Sequence, residues 1–248
     1  MTEPTIILGS SDEGLHNRWQ RRTAERIKAG RAYKDLSTIC VIPTRGTIPA
    51  RVVESWWSLM SPMNNKFVRM FISGMEVGDA YQNAVQTIMG HPELSKWRFM
   101  LTLEEDNMPP PDGLLKLYES ICDCPKVCNE HPAVVGGLYY TKGEGGQPMI
   151  YGNPKKVLSF EPQVPMLDKV QECNGLGMGF TLFRLDLFKD KRIEQPWFKT
   201  VQSYEHGVGV NQGTQDLYYF GKVRKAGYRV ASDNRVKVGH IDEGGTVW

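Results

Sequence analysis

The sequence has little net charge, few cysteines and no long apolar run, and each shortage excludes something. Its 30 Lys and Arg against 28 Asp and Glu leave a formal charge of +2, too little to draw the whole surface to nucleic acid or to an anionic membrane. Any charged partner has to be met by a local patch. No stretch reaches the roughly 18 consecutive apolar residues of a membrane span, and residues 1–11 lack the basic segment and apolar run of a secretory signal. The five cysteines, Cys40, Cys122, Cys124, Cys128 and Cys173, are an odd number in a chain of this size, which fits a reducing compartment better than a disulfide framework. A cytoplasmic protein is the expectation. Internal repeats and low-complexity segments are also missing, and the 40% hydrophobic and 23% charged content excludes disorder, collagen and coiled coil.

What is present divides at about residue 35. Residues 14–35 hold seven basic residues, Arg18, Arg21, Arg22, Arg26, Lys28, Arg31 and Lys34, and little to bury beyond Leu15, Trp19 and Ile27. They read as a polar helix in an N-terminal arm over residues 1–35, either a solvated face or a contact for a polyanion or a partner subunit, through which the chain could oligomerise. From Leu36 onward short apolar runs alternate with helical patterns, the signature of βαβ units and an α/β domain spanning 36–248. Strands are expected over 36–43, 66–72, 97–107, 133–140, 179–184 and 228–240. Helices are expected over 49–60, 76–89, 112–121 and 214–227. The segment 194–213, rich in glycine and without a period, reads as a long mobile loop that closes over an active site.

The chemistry concentrates where the third strand ends. Side chains alternate along a strand, so Glu104 and Asp106 share one side and Glu105 takes the other. Two carboxylates pointing together into a crevice repel unless a cation lies between them; a solvated turn is the plainer alternative. In the last strand Val236, Val238 and His240 share parity, which places His240 at the end of the inward face as a possible third ligand. Asp216, in the first turn of the 214–227 helix, suits either a favourable helix-terminus charge or a general base. Gly136, Gly137, Gly175, Gly177 and Gly179 would let backbone amides approach a phosphate. Trp56, Trp57, Trp197, Tyr139 and Tyr140 could stack on sugars or fill the core. Cys122, Cys124, Cys128 and His131 lie within ten residues and could hold a structural zinc, or be plain cysteines at a helix end.

Several segments, in this order, resemble one family. These are ICVIPTRG (39–46), LTLEEDNMPPPDGLLKL (101–117), VVGGLYY (134–140), NGLGMGFTLFRLDLF (174–188) and TQDLYYFGKVRKAGYRVASDNRVKVGH (214–240). Together they look like GT-A fold glycosyltransferases, in particular the compact, family 2-like nucleotide-sugar transferases of bacteria and bacteriophages. The resemblance implies a Rossmann-like, mostly parallel sheet flanked by helices. It implies a UDP- or GDP-sugar donor, a divalent cation (manganese or magnesium) and transfer of a hexose to an acceptor hydroxyl on polysaccharide, lipid, protein or modified DNA. Glu104-Glu105-Asp106 match the DxD positions, with Glu104, Asp106 and His240 as metal ligands and Asp216 as the base of an inverting reaction. Pro43, Thr44 and Arg45 match the nucleotide-binding turn, Glu76 and Asp79 stand in for the acidic contact to base or ribose, and Gly177 and Gly179 shape the donor pocket along with Glu104 and Glu105. Arg45 or Lys142 would assist the departing diphosphate. A metal-dependent nucleotidyltransferase and an inactive nucleotide- or nucleic-acid-binding module are the competing readings.

Overall fold

The computed structural model describes residues 35–61, 66–205 and 209–248, so the basic helix expected before Asp35 lies outside the described residues. The described chain begins with β1 (Thr38–Thr44), a run buried up to Pro43, as a strand covered on both faces must be. Ile39 and Val41 join one hydrophobic cluster, and Cys40 and Ile42 join the other. The period-2 alternation of the strand therefore feeds two cores, one on each face of the sheet.

Helix α1 (Ala50–Ser58) follows and buries Val52 and Trp56, while Trp57 is exposed. Next come β2 (Phe67–Ser73) and α2 (Val77–Gly90). Tyr81, Ala84, Val85 and Ile88 of α2 recur at helical spacing and are all buried, the stripe that docks the helix onto the sheet. Strand β3 (Phe99–Leu103) is wholly buried; it stops four residues short of the expected end. Residues 104–106 turn instead, closed by the Asn107 N–H donating to the Glu104 carbonyl (3.0 Å), before the two-residue β4 (Asn107–Met108).

Beyond it lie α3 (Gly113–Ser120), β5 (Pro132–Leu138), β6 (Ile150–Tyr151), β7 (Val170–Cys173), β8 (Gly175–Leu176) and β9 (Phe180–Arg184). The expected loop over 194–213 needs correction: β10 (Val201–Glu205) and β11 (Gly209–Gly213) pair as an antiparallel ladder. The ladder is made by backbone N–H and C=O groups, which glycine supplies as well as any residue, so side-chain periodicity did not reveal it. Helix α4 (Gln215–Lys225) ends at Gly227, whose φ of +85° suits glycine. The last elements are β12 (Arg229–Lys237) and β13 (Gly239–His240).

The main sheet runs β2-β1-β3-β9-β5-β12-β7. Its pairings are parallel for β2-β1, β1-β3 and β5-β12, and antiparallel for β3-β9, β9-β5 and β12-β7. Hence β2, β1, β3, β5 and β12 point one way, and β9 and β7 are reversed. Tyr81 of α2 and Tyr219 of α4 belong to one core cluster, whereas Trp56 of α1 and Leu117 of α3 belong to the other. Among the described residues the sheet thus carries two helices on each face. No helix among the described residues is long and apolar enough to cross a membrane.

Candidate active site

A cleft of about 740 Å³ opens where β1, β2 and β3 end side by side. The parallel arrangement brings three carboxyl-terminal strand ends together, the place where open α/β sheets hold ligands. Pro43, Thr44 and Arg45 line it from β1, Gly74, Met75 and Val77 from the β2–α2 connection, and Glu104, Glu105 and Asp106 from the turn after β3. Lys142 and Gln215 complete the wall.

The three acids of the turn do different work. Glu105 accepts from the Thr44 hydroxyl (2.6 Å), the Arg45 amide (2.9 Å) and Arg45 Nε (2.6 Å). Thr44 in turn accepts from the Gly46 N–H (2.9 Å), at a left-handed position (φ +105°) that suits glycine. Glu105 thereby fixes the turn after β1. Its partial burial raises its pKa, but the Thr44 and Arg45 hydrogen bonds outweigh this and leave the carboxyl lowered.

Asp106 Oδ2 lies 2.5 Å from Lys142 Nζ and 3.4 Å from His240 Nε2. Burial raises its pKa, yet His240 and Lys142 more than offset that and hold it at about 2. Glu104 faces the opposite case. It accepts from the Tyr81 hydroxyl (3.0 Å), and burial, with the Asp106 charge adding to it, pushes its carboxyl up to about 7 against that bond.

His240 reaches the turn because β13 leaves the main sheet to pair with β4, setting His240 opposite Asn107. Its Nδ1 is 2.7 Å from the Tyr140 carbonyl. A carbonyl only accepts, so Nδ1 carries the proton and Nε2 is aimed at Asp106. The ring also meets the Tyr139 ring edge-on at 5.4 Å, which limits its rotation.

Asp216 sits in the first turn of α4, buried, and accepts from the Leu217 N–H (2.8 Å). Burial raises its pKa, opposed by bonds from Thr214 and the Leu217 amide. Its neighbour Gln215 lines the cleft, and the Asp216 charge adds to the upward push on Glu104.

Other expected residues lie elsewhere. Glu76 caps α2, accepting from the Gly78 and Asp79 amides (2.7 and 3.1 Å) and from the Thr200 hydroxyl (2.8 Å), and Asp79 is exposed in the following turn. Neither lines the cleft, where Gly74, Met75 and Val77 stand instead. Gly177 and Gly179 are also outside the lining. Added Cβ atoms there would overlap the Tyr139 hydroxyl and the Asn107 amide, so their smallness answers packing between side chains rather than access for a phosphate. Trp56, Trp197 and Tyr139 are core residues. Tyr81, the partner of Glu104, was not legible in advance, because only the folded α2–β3 neighbourhood brings the two together.

Glu104, Asp106 and His240 do not converge as three ligands, since Glu104 turns to Tyr81. Among the described residues one group does converge: Cys122, Cys124, Cys128 and His131 have ligand atoms all within 4.8 Å of one another.

No protein-family profile matches the chain, and no curated protein matches its sequence. Solved structures do match. A197 from STIV superposes with a TM-score of 0.58 at 19% identity, over 86% of this chain and 93% of A197. GalNAc-T7, crystallised with UDP, GalNAc and Mn2+, superposes with a TM-score of 0.53 at 11% identity, over 98% of this chain. This chain spans 56% of that one. The fold is therefore a mixed α/β, glycosyltransferase-like fold of the GT-A type.

Proposed function

We propose that residues 36–248 form the catalytic domain of a metal-dependent glycosyltransferase, which moves a hexose from a UDP- or GDP-sugar to an acceptor hydroxyl. The observation that carries the reading is the pairing of Asp106 with His240 at the mouth of a strand-end cleft, in a fold shared with a protein solved with UDP and Mn2+. The odd number of cysteines, five, supports a reducing, cytoplasmic setting.

The cleft residues suit a cation. Asp106 is ionised, the Tyr140 carbonyl leaves Nε2 of His240 free to ligate, and Lys142 already places a positive charge on the same carboxylate oxygen. A carboxylate and an imidazole with an outer hydrogen bond form a donor set for manganese or magnesium. When bound, such a cation neutralises charge on the departing diphosphate.

The chain's own groups do the rest. The β1 turn, held by Glu105, receives the nucleotide at Pro43, Thr44 and Arg45. Arg45 and Lys142 add fixed positive charge where the leaving group gains negative charge. Asp216, kept basic by burial, takes the proton of the acceptor hydroxyl, and the reaction inverts the anomeric centre. Glu104, tied to Tyr81 and raised to about 7 by burial and the nearby Asp106 and Asp216 charges, holds a proton rather than adding a third full negative charge.

Incubation with a panel of nucleotide sugars, with and without manganese, tests this. Metal-dependent release of UDP or GDP is the expected result. Release of pyrophosphate would instead mark a nucleotidyltransferase, and nucleotide binding without release of either product would mark an inactive nucleotide-binding module.

A further inference from the structure

Residues 121–131 join α3 to β5 at the amino-terminal edge of the parallel strands, the end of the sheet away from the cleft. Within this connection Cys122 Sγ and Cys124 Sγ each lie 3.3 Å from Cys128 Sγ. His131 Nδ1 lies 3.6 Å from Cys128 Sγ and 3.9 Å from Cys124 Sγ. A tetrahedral zinc ion with Zn–S near 2.3 Å and Zn–N near 2.0 Å holds its ligand atoms roughly 3.5–3.8 Å apart. The four atoms already stand close to that arrangement.

The connection is held by the sheet, not merely folded on itself. Arg184, at the end of β9 and fully buried, donates from Nη1 to the Cys122 carbonyl (3.0 Å) and the Cys124 carbonyl (2.7 Å). Arg98, just before β3, donates to the Cys124 carbonyl (2.9 Å) and the Pro125 carbonyl (3.0 Å). Arg229, at the start of β12, reaches the Glu130 carbonyl, and the Cys122 N–H donates to the Pro132 carbonyl (2.7 Å). Backbone on both sides of the ligands is thus fixed by groups from three strands, so little chain entropy remains to be lost when a metal binds.

Charge points the same way. The buried Arg184 guanidinium pairs with Asp186, which is partly exposed, and its Nε has no hydrogen-bond partner among the described residues. A buried cation calls for compensating negative charge. Three thiolates on a divalent ion carry a net charge of about −1, directly beside the carbonyls that Arg184 holds.

We infer that Cys122, Cys124, Cys128 and His131 form a structural zinc site that locks the α3–β5 connection to the amino-terminal edge of the sheet. Sulfur-rich ligation selects zinc over the harder ions suited to the cleft, and four protein ligands leave no open position for a reacting water. Binding releases the thiol protons to solvent and changes no oxidation state. The inference stands apart from the transferase reading.

The test is metal analysis of the full chain, purified under reducing conditions without chelator. Zinc at one equivalent per chain is expected, together with a thiolate-to-metal charge-transfer band and a tetrahedral d–d envelope after exchange for cobalt. Cys124→Ser and His131→Ala should lose most of the zinc and lower the melting temperature, while His131→Cys, which keeps four ligands, should retain both. Folded native protein with no zinc and no cobalt–thiolate band would overturn the inference, as would a disulfide among the three cysteines found by non-reducing mass spectrometry. Zinc present without sugar-nucleotide turnover leaves this site standing and removes the transferase reading; turnover without zinc does the reverse.

Discussion

Nε2 of His240 stands 3.4 Å from Oδ2 of Asp106, while Nδ1 of the same ring donates to the Tyr140 carbonyl. Both nitrogens of one imidazole therefore face oxygen. With Nδ1 committed, the ring meets Asp106 comfortably either as an imidazolium or across a shared cation. Lys142 on the same carboxylate oxygen marks where positive charge is wanted.

Asp106→Asn and His240→Ala are each expected to weaken manganese-dependent nucleoside diphosphate binding by roughly 10–100-fold. Calorimetric titration of UDP with and without manganese reads this out. Unchanged affinity in both variants would place the cation elsewhere.

Asp216→Asn is expected to lower kcat by roughly 10²–10⁴-fold and to leave the donor dissociation constant near its starting value. Burial and the Leu217 bond persist in the amide, so the fold is retained. NMR of the product is expected to show the inverted anomer; retention, or near-normal turnover by the variant, removes Asp216 from the base role.

The pH dependence of stability has a definite sign. Glu104 ionises near 4.5 as an ordinary carboxyl and at about 7 in the folded protein, where burial and then the Asp106 charge raise it. Between those values the folded state holds the extra proton, so stability is greatest below the window and falls as pH rises through it. Asp216 is raised as well and adds in the same direction. Asp106, lowered to about 2, keeps its contribution above the ordinary value of 3.8 and loses it only in stronger acid. Glu104→Gln should therefore flatten the decline in melting temperature between about pH 5 and pH 7.5. A wild-type slope that survives the substitution contradicts the assignment.

Gly179→Ala tests the packing beneath the turn. The new Cβ would overlap the amide of Asn107, a fully buried side chain whose backbone carbonyl accepts from Trp56 Nε1 (3.0 Å). Overpacking there is expected to cost about 1–3 kcal/mol, read as a lower midpoint in urea. An unchanged midpoint would mean that Asn107 yields freely.

Much of this fold could be read from residues near one another in the chain. The apolar run of β1, the buried stripe Tyr81–Ala84–Val85–Ile88 of α2 and the Gly227 stop of α4 are local signals, and the structure keeps them. The alternation of buried Val236 and Val238 with exposed Lys237 also carried through, whereas His240 lies on β13, which leaves the main sheet to pair with β4. Relationships set by distant partners were not legible. The reversed β9 enters between β3 and β5, Glu104 turns to Tyr81, and Glu76 spends its carboxylate on the amides of its own helix. Each depends on which elements become neighbours, which no local period encodes. The acidic turn was legible as three carboxylates, but their division into a brace held by Arg45, a partner of Lys142 and a carboxyl raised by burial follows only from the folded surroundings.

The short ladder of β13 with β4 joins His240 to Asn107 across more than half the chain. A nascent polypeptide that has passed Lys142 already carries the acidic turn and the lysine that pairs with Asp106, yet it lacks His240 to set beside them. On the proposed reading, competence to hold a cation in the cleft waits until β13 has been made. Such a long-range closure is slow compared with helix formation, so the onset of manganese-dependent nucleotide binding during refolding would serve as a clock for the final step of assembly.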